Sequence, residues 1–278
     1  MLVEQAIYAS AQTVQADGYQ IVAASAGVTA ADRRELARWS PSHDGLSADA
    51  PGSGSVNFYC LASGHYCISQ SSVAHAEYSG RGGMHVSTRC YLMSPAVLAR
   101  FGNNPFKVLT AVKACSDRPF FDPRTELEPL SVHGCRTPLD SGVLLELAIG
   151  NQTLALSRLV DAALSGNPVL VKGAVSIETL CAGLMSALPM SVRPAISFST
   201  GLLPSLRRPF RLMFVPADAR RIVRGESEVV LDLTNNGGDE PELGGWARLV
   251  HETVTARNVS RLAAELQRTN APSTSPII

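Results

Sequence analysis

Seven arginines and a single acidic residue, Asp218, lie between residues 190 and 224 of this 278-residue chain. Serine and threonine hydroxyls lie in the same stretch. Guanidinium groups bind carboxylates and phosphates through paired hydrogen bonds, and hydroxyls can add further donors. The pattern therefore predicts a site for phosphate or for an acidic protein partner. Its candidate residues are Arg193, Ser197, Ser199, Thr200, Arg207, Arg208 and Arg211.

An acidic stretch follows directly and offers a second interpretation. Residues 225–245 contain six acidic residues and no basic one. Opposite charges that are close in sequence commonly neutralise each other across adjacent elements. The two hypotheses differ in whether the guanidinium groups face solvent or pair with these carboxylates.

A secondary candidate site for a phosphorylated or nucleotide-like ligand lies in the N-terminal half, at Arg81, His85 and Asn104. The same half contains cysteines and histidines that could bind zinc or form a Cys/His nucleophile pair. None has the paired Cys-x-x-Cys spacing of a structural zinc site, which favours buried cysteines and surface histidines and predicts no metal. The residues concerned are Cys60, His65, Cys67, His75, His85 and Cys90.

Motifs with a strong chemical signature are missing from the sequence. There is no Gly-x-x-x-x-Gly-Lys-Ser/Thr loop to hold phosphates, and the glycine-rich segments at 52–55 and 80–83 complete no dinucleotide or nucleophile motif. The helical His251-Glu252 pair has Thr255 where a zinc protease has its second histidine. The sequence therefore favours a non-enzymatic role and predicts no cofactor.

The N-terminal half is predicted to contain antiparallel strands and three helices. Aromatic and β-branched runs separated by turn residues predict two hairpins and a further strand, and Thr29 is a favourable N-cap for a helix that ends at Ser40-Pro41. The predicted strands are residues 2–9, 18–24, 56–62, 65–70 and 84–93, and the predicted helices are 30–39, 95–101 and 105–114.

The C-terminal half shows apolar periodicity of 3.6 residues, which alternates with short apolar runs. Helices are predicted around residues 156–164, at 177–188 with Ser176 as N-cap, and at 246–267. In the last of these, the helical spacing of the apolar residues is interrupted near Asn258. Strands are predicted at 168–171, 195–199, 210–215 and 228–233. Such alternation indicates βαβ connections and a partly parallel sheet with flanking helices.

The predicted fold class is therefore α/β, with an α+β N-terminal domain and a second α/β domain. Residues 116–141 contain four prolines and no periodic pattern, which predicts a linker or extended crossover. The predicted division is an N-terminal domain at 1–118, a proline-rich linker at 119–141, a second domain at 142–270 and a tail at 271–278.

Overall charge and composition argue against several classes of partner. The 24 basic residues balance the 24 acidic ones, so no global field attracts nucleic acid or an anionic membrane. The N-terminus lacks the pattern of a secretory signal, and no apolar run is long enough to span a bilayer. Six scattered cysteines are typical of a reducing compartment, so we expect a soluble cytoplasmic protein.

Several spaced segments resemble bacterial GTPase-associated proteins, which are encoded beside GTPases in predicted conflict or signalling systems. Residues 188–202 (LPMSVRPAISFSTGL) and 205–212 (SLRRPFRL) resemble the middle domain of these proteins. The segments that resemble the N-terminal domain are Glu4-Gln-Ala-Ile-Tyr8, Gly18-Tyr19, Gly80-Arg81-Gly-Gly-Met-His85 and Asn103-Asn-Pro-Phe106. The similarity spans residues 1–235.

The resemblance implies an adaptor or regulatory module that binds a GTPase or another protein of the same system. It transfers no catalytic residue. The alternative is a protein or enzyme that binds a phosphorylated or nucleotide-like ligand through the arginines, serines and threonine of the second domain. Nucleic-acid binding is disfavoured because the net charge is zero.

Overall fold

The computed structural model describes most of the chain. The described residues are 1–12, 17–42, 45–47, 54–76, 84–115, 126–135, 137, 139–173, 176–215, 229–234 and 242–269.

The described residues form eleven strands, all in one sheet, and eight α-helices. The strands are β1 Leu2–Gln12, β2 Asp17–Ser25, β3 Gly54–Cys60, β4 Tyr66–Ala76, β5 Met84–Met93, β6 Glu126–Leu127, β7 Leu130–Ser131, β8 Val169–Lys172, β9 Phe198–Ser199, β10 Leu212–Val215 and β11 Val229–Asp232. The helices are α1 Ala30–Trp39, α2 Pro95–Ala99, α3 Pro105–Cys115, α4 Ser141–Ile149, α5 Thr153–Leu164, α6 Ile177–Ala187, α7 Gly245–Thr255 and α8 Val259–Thr269. The strand order is β11-β8-β10-β9-β3-β4-β5-β1-β2-β6, and β7 also pairs with β1.

The N-terminal part of the sheet is antiparallel, as predicted. β1 pairs with β2, and β4 pairs with both β3 and β5. The turn between β3 and β4 is closed by a 2.8 Å hydrogen bond from the Leu61 amide to the His65 carbonyl. Gly64 has a φ of 81° in this turn, a conformation that glycine adopts without a steric penalty. Both predicted hairpins are therefore confirmed.

Helix α1 begins and ends where the sequence predicts. The Thr29 hydroxyl accepts the Asp32 amide at 3.1 Å, and the Asp32 carboxylate accepts the Thr29 amide at 3.2 Å. This reciprocal capping box satisfies amides that the first turn of a helix leaves unpaired. Ser40 is the C-cap, directly before Pro41.

The C-terminal part of the sheet is parallel. β10 pairs in parallel with β8 and β9, and β11 pairs in parallel with β8. The antiparallel pairing of β9 with β3, in register at Phe58 and Phe198, joins the two parts into one mixed sheet. The predicted α/β class is confirmed. The division into two domains at residues 119–141 stays a prediction.

Some elements differ from those predicted. α4 was not predicted, because its sequence is apolar on most sides and lacks a clear helical period. β6 and β7 lie inside the segment predicted as a linker. Ser176 occupies the N-cap of α6, but its hydroxyl makes no capping hydrogen bond. The interruption of the apolar spacing near Asn258 corresponds to a break between α7 and α8, where Arg257 has a φ of 53°.

The sheet has a core on each face, since consecutive strand residues point to opposite sides. Phe58 packs with Phe198 at a ring-centroid distance of 5.9 Å, in the larger core beneath helices α3 to α8. Its neighbour Tyr59 faces the other side and stacks on Trp39 of α1 at 4.5 Å. Within the ranges given above, no helix is both long enough and apolar enough to cross a membrane.

Candidate partner-binding surface

The arginine-rich segment runs along the sheet beside the C-terminal ends of several helices. It comprises a 3-10 helix at Arg193–Ala195, strand β9, a surface loop, and strand β10. The last carbonyls of an α-helix have no partner within the helix and carry partial negative charge. Guanidinium donors that reach these carbonyls satisfy them, and three arginines of the segment do so.

Arg193 has the largest side chain among the fully buried residues described. Its Nε donates to the Leu188 carbonyl at 2.9 Å, and its Nη2 donates to the Ser186 carbonyl at 2.8 Å, both at the C-terminal end of α6. Its Nη1 donates to the Gly102 carbonyl at 2.8 Å. Burial lowers the pKa of Arg193 to about 9. Its exposed fraction is zero, so this guanidinium is not at the surface.

The loop between α2 and α3 completes the junction around Arg193. Asn103 has a φ of 55°, in the left-handed region that asparagine tolerates better than most residues. Its side-chain amide donates to the Met190 carbonyl at 2.8 Å. The Asn103-Asn-Pro-Phe106 segment therefore meets the segment around Arg193, although the two are far apart in sequence. We call Gly102, Asn103, Asn104, Ser186 and Arg193 the buried junction.

Arg208 reaches the C-terminal end of α1. Its Nη1 donates to the Ser40 carbonyl at 3.5 Å, and its Nη2 donates to the Leu203 carbonyl at 3.4 Å. Both hydrogen bonds are long. Burial lowers the pKa of Arg208, and the nearby Tyr8 opposes this shift. Arg208 therefore ties the surface loop to α1.

Arg211 reaches the C-terminal end of α5. Its Nη2 donates to the Ala163 carbonyl at 2.8 Å. Gly166 follows the helix with a φ of 92°, as is common just beyond a helix C-terminus. The structure thus places Arg193, Arg208 and Arg211 at the ends of three different helices, and it does not gather them into one surface.

The predicted hydroxyls are hydrogen-bonded inside the fold. The Ser197 hydroxyl accepts the Arg211 amide at 3.0 Å, and the Thr200 hydroxyl accepts the Val56 amide at 2.8 Å. Ser199 is fully buried, and its hydroxyl accepts the Leu202 amide at 3.1 Å. These side chains stabilise the connections of β9 and β10 to their neighbours.

Arg207 differs from the other arginines because its side chain is exposed. It lies in a tight turn closed by a 2.9 Å hydrogen bond from the Arg208 amide to the Ser205 carbonyl. Leu206 lies at the tip of this turn with 78% of its surface exposed, the largest value for any large hydrophobic residue described. We call Leu203, Leu206 and Arg207 the exposed tip.

The base of the exposed tip packs against aromatic residues of the smaller core. Phe210 packs against Trp39 at 4.9 Å and Tyr59 at 6.1 Å, which anchors the end of the loop in the smaller core. The exposed Arg38 of α1 donates from Nε to the Arg207 carbonyl at 3.3 Å. A second guanidinium therefore lies beside the tip, and contacts with α1 and the smaller core hold both ends of the turn.

The structure describes little of the acidic stretch that could neutralise the arginines. Of its six acidic residues, Asp232 and Glu242 lie within the described ranges. Asp232 accepts the Thr234 amide at 2.8 Å, and this hydrogen bond and the one from the Thr234 hydroxyl lower the pKa of the carboxyl group. Internal neutralisation of the arginines stays a hypothesis.

The secondary candidates are not brought together by any contact among the described residues. Arg81 lies outside the described residues. His85 is half-buried near the start of β5, whereas Asn104 is buried in the loop after α2, beyond the other end of that strand. Asn104 belongs to the buried junction, where its side-chain oxygen accepts the Phe106 amide at 3.0 Å.

The cysteines and histidines of the N-terminal half form no metal cluster among the described residues. Cys67 and Cys90 are fully buried beside Tyr59, and burial raises the pKa of Cys67 well above its ordinary value. A thiol in this state is a poor nucleophile. His65 is half-buried, and its Nδ1 lies 3.2 Å from the Ser63 hydroxyl. The side chain of His75 lies outside the described residues.

Leu203, Leu206 and Arg38 were not predicted as site residues. One signal for the turn was present in the sequence, since Pro204 and Pro209 flank the Ser-Leu-Arg-Arg segment and disfavour helix and strand there. Arg38 gave no signal, because it approaches Arg207 only through the packing of α1 on the sheet.

Residues 2–132 match the family model described as "GTPase-associated protein 1, N-terminal domain type 2". No curated protein matches the chain. The matched residues contain the segments that resemble the N-terminal domain, and two of these segments meet where Tyr8 stacks on Tyr19 at 5.6 Å.

Proposed function

We propose that this chain, whose residues 2–132 match the N-terminal domain model of GTPase-associated protein 1, is a non-enzymatic adaptor of a bacterial conflict or signalling system. It acts in the cytoplasm and binds the GTPase encoded with it. The exposed tip is its main contact, with Arg38 beside it. The observation that carries this proposal is an apolar side chain, Leu206, held at 78% exposure next to two guanidinium groups.

The composition of the tip favours a protein partner. Interface hot spots are enriched in arginine, and exposed apolar side chains gain free energy when a partner removes them from water. The tip also costs little conformational entropy on binding, because the turn hydrogen bond and Phe210 already fix its backbone. A partner with an apolar pocket surrounded by acidic residues would complement Leu206, Arg207 and Arg38.

In this proposal, fewer arginines of the 190–224 segment contact the partner than the sequence predicts. Arg193 and Arg211 support the fold, and Arg208 holds the base of the turn. Arg207 alone among the four described arginines of the segment has an exposed side chain. The binding surface therefore extends from the turn toward α1, rather than along β9.

The test is calorimetric titration of the full chain with the co-encoded GTPase, in its GDP-bound form and in a GTP-analogue form. We expect binding in at least one nucleotide state. Leu206→Asp should weaken binding at least about 30-fold, because a carboxylate replaces the apolar anchor and faces acidic residues of the partner. Arg207→Glu should weaken it about 10-fold, mainly through faster dissociation.

The matched controls are Leu164→Asp and Arg257→Glu, which alter an exposed leucine and an exposed arginine in the C-terminal half. Both should bind the GTPase with unchanged affinity. Absence of binding in both nucleotide states would overturn the adaptor proposal. Binding that survives Leu206→Asp and Arg207→Glu together would leave the adaptor role in place but remove the exposed tip from it.

A further inference from the structure

A cleft of about 350 Å³ lies between helices α3, α4 and α6, away from the exposed tip. Its volume falls within the range of small-molecule sites, about 300–1,000 Å³. Phe106, Leu109, Val143 and Ala182 supply apolar surface, and the remaining lining is polar. Such a combination of apolar wall and converging polar groups is typical of ligand pockets.

Hydrogen-bond donors remain available at the inner end of the cleft. The buried Ser186 hydroxyl accepts the Asp140 amide at 3.2 Å and the Asn104 side-chain amide at 3.5 Å. A hydroxyl oxygen that accepts two hydrogen bonds still has its own hydrogen to donate. Among the described residues, neither this hydrogen nor the second amide hydrogen of Asn104 has an acceptor.

Two of the three lysines in the chain, Lys107 and Lys113, line the same cleft. Lys107 donates from Nζ to the Thr137 carbonyl at 2.9 Å and the Leu139 carbonyl at 3.3 Å, which leaves its third hydrogen without an acceptor among the described residues. Lys113 is exposed on the same helix. The α3 side of the cleft is therefore rich in donors and positive charge.

The charge balance near Lys107 favours an anionic ligand. Burial lowers the pKa of Lys107, and the charge of Arg193 in the buried junction lowers it further, while Cys135 and Asp140 oppose the shift. Asp140 already accepts the Val143 amide at 3.3 Å to cap α4. An anion placed here would interact favourably with both ammonium groups and with Arg193.

The opposite wall limits how much negative charge a ligand can carry. Glu178 is exposed in the first turn of α6 and lines the cleft. Thr179 beside it donates to the Glu146 carboxylate at 3.4 Å. A ligand with an anionic group at one end and a hydroxyl or amine at the other would suit both walls.

We propose that this cleft binds a small organic anion, whose carboxylate or phosphate lies between Lys107 and Lys113 and receives the free donors of Ser186 and Asn104. The site is distinct from the surface that binds the partner protein. The ligand also contacts the buried junction through Ser186, so its binding stabilises the contact between the loop after α2 and the C-terminal end of α6.

The test uses succinate and inorganic phosphate as probes of the two anionic groups and glucose as a neutral control. Ionic strength is held constant with sodium chloride. Thermal unfolding and calorimetric titration of the full chain should show saturable binding of at least one anion and none of glucose. The stronger of the two anions identifies the group that the natural ligand carries.

Matched lysine variants locate the site. Lys113→Met should weaken binding of the preferred anion at least 10-fold without changing the unfolding temperature of the free protein, because Lys113 is exposed. Lys107→Met should also weaken binding, with a modest loss of stability. Lys172→Met, the third lysine, removes the same charge outside the cleft and should leave binding unchanged.

Two results would overturn the proposal. One is the absence of saturable stabilisation by either anion at concentrations up to tens of millimolar. The other is equal weakening by Lys172→Met and Lys113→Met, which would show that binding depends only on net charge. Neither result affects the proposed adaptor role, because the GTPase titration uses different residues.

Discussion

The buried junction and the exposed tip belong to the same arginine-rich segment, but their guanidinium groups have opposite environments. Arg193 is fully buried and donates to three backbone carbonyls. Arg207 is exposed beside Leu206. The difference lies in what each side chain can reach, since Arg193 lies beside the end of α6 and Arg207 lies at the tip of a turn.

This comparison shows that clustered arginines need not form one site. Helix C-termini offer unpaired carbonyls, and a guanidinium with five donors can satisfy several at once. Arg193, Arg208 and Arg211 reach three such ends. Of the four arginines of this segment that the structure describes, three are therefore held within the fold, and Arg207 has an exposed side chain.

Replacement of Arg193 should have the largest effect on stability. Arg193→Met leaves the carbonyls of Gly102, Ser186 and Leu188 without their donors in a dry interior, and we expect a loss of about 3–5 kcal/mol in the free energy of unfolding. Urea denaturation measures it. Arg193→Lys keeps the charge but not the planar donor geometry, so its loss should be smaller. A loss below about 1 kcal/mol for the methionine variant would contradict the structural role.

Replacement of Arg211 should cost less, because it satisfies one helix carbonyl. We expect Arg211→Met to lower the free energy of unfolding by about 1–2 kcal/mol. Part of the loss is offset, since the buried Nε of Arg211 has no hydrogen-bond partner among the described residues. The same denaturation experiment applies, and an effect equal to that of Arg193→Met would contradict the ranking.

Arg208 is intermediate between the two regions, because it caps α1 and also holds the base of the turn. Its hydrogen bonds are 3.4 and 3.5 Å long, so Arg208→Met should cost only about 0.5–1 kcal/mol in stability. It should weaken GTPase binding about 3-fold to 5-fold by loosening the turn. Urea denaturation measures the loss of stability, and calorimetric titration with the GTPase measures the loss of affinity. An unchanged affinity would show that the exposed tip keeps its conformation without Arg208.

Replacement of Arg207 should have the smallest effect on stability. Its side chain is exposed, so Arg207→Met should change the free energy of unfolding by less than about 0.5 kcal/mol. Comparison with Arg193→Met by urea denaturation is the sharpest test of the contrast between the two regions. A destabilisation of Arg207→Met above about 1 kcal/mol would show that Arg207 is also a structural residue.

Much of the fold was predictable because its signals are local. Thr29 and Pro41 set the bounds of α1, Ser63-Gly64 set the turn between β3 and β4, and the interrupted apolar spacing near Asn258 indicated the break between α7 and α8. α4 and the short strands β6 and β7 could not be predicted, because their patterns are weak and their pairing depends on distant strands.

The candidate site was less predictable than the fold. The sequence correctly indicated an unusual concentration of arginine and a resemblance to GTPase-associated proteins, which the match over residues 2–132 supports. It gave no means to separate Arg193 from Arg207, and it gave no signal for the cleft, whose walls come from α3, α4 and α6.

The sequence by itself determined most of the local elements and the α/β class, because caps, turns and strand alternation depend on neighbouring residues. Tertiary structure alone decided which arginines are buried and which residues line the cleft between α3, α4 and α6. Those outcomes depend on where helix ends and strands meet in space, and residues as distant as Gly102 and Arg193 share one set of hydrogen bonds only in the folded chain.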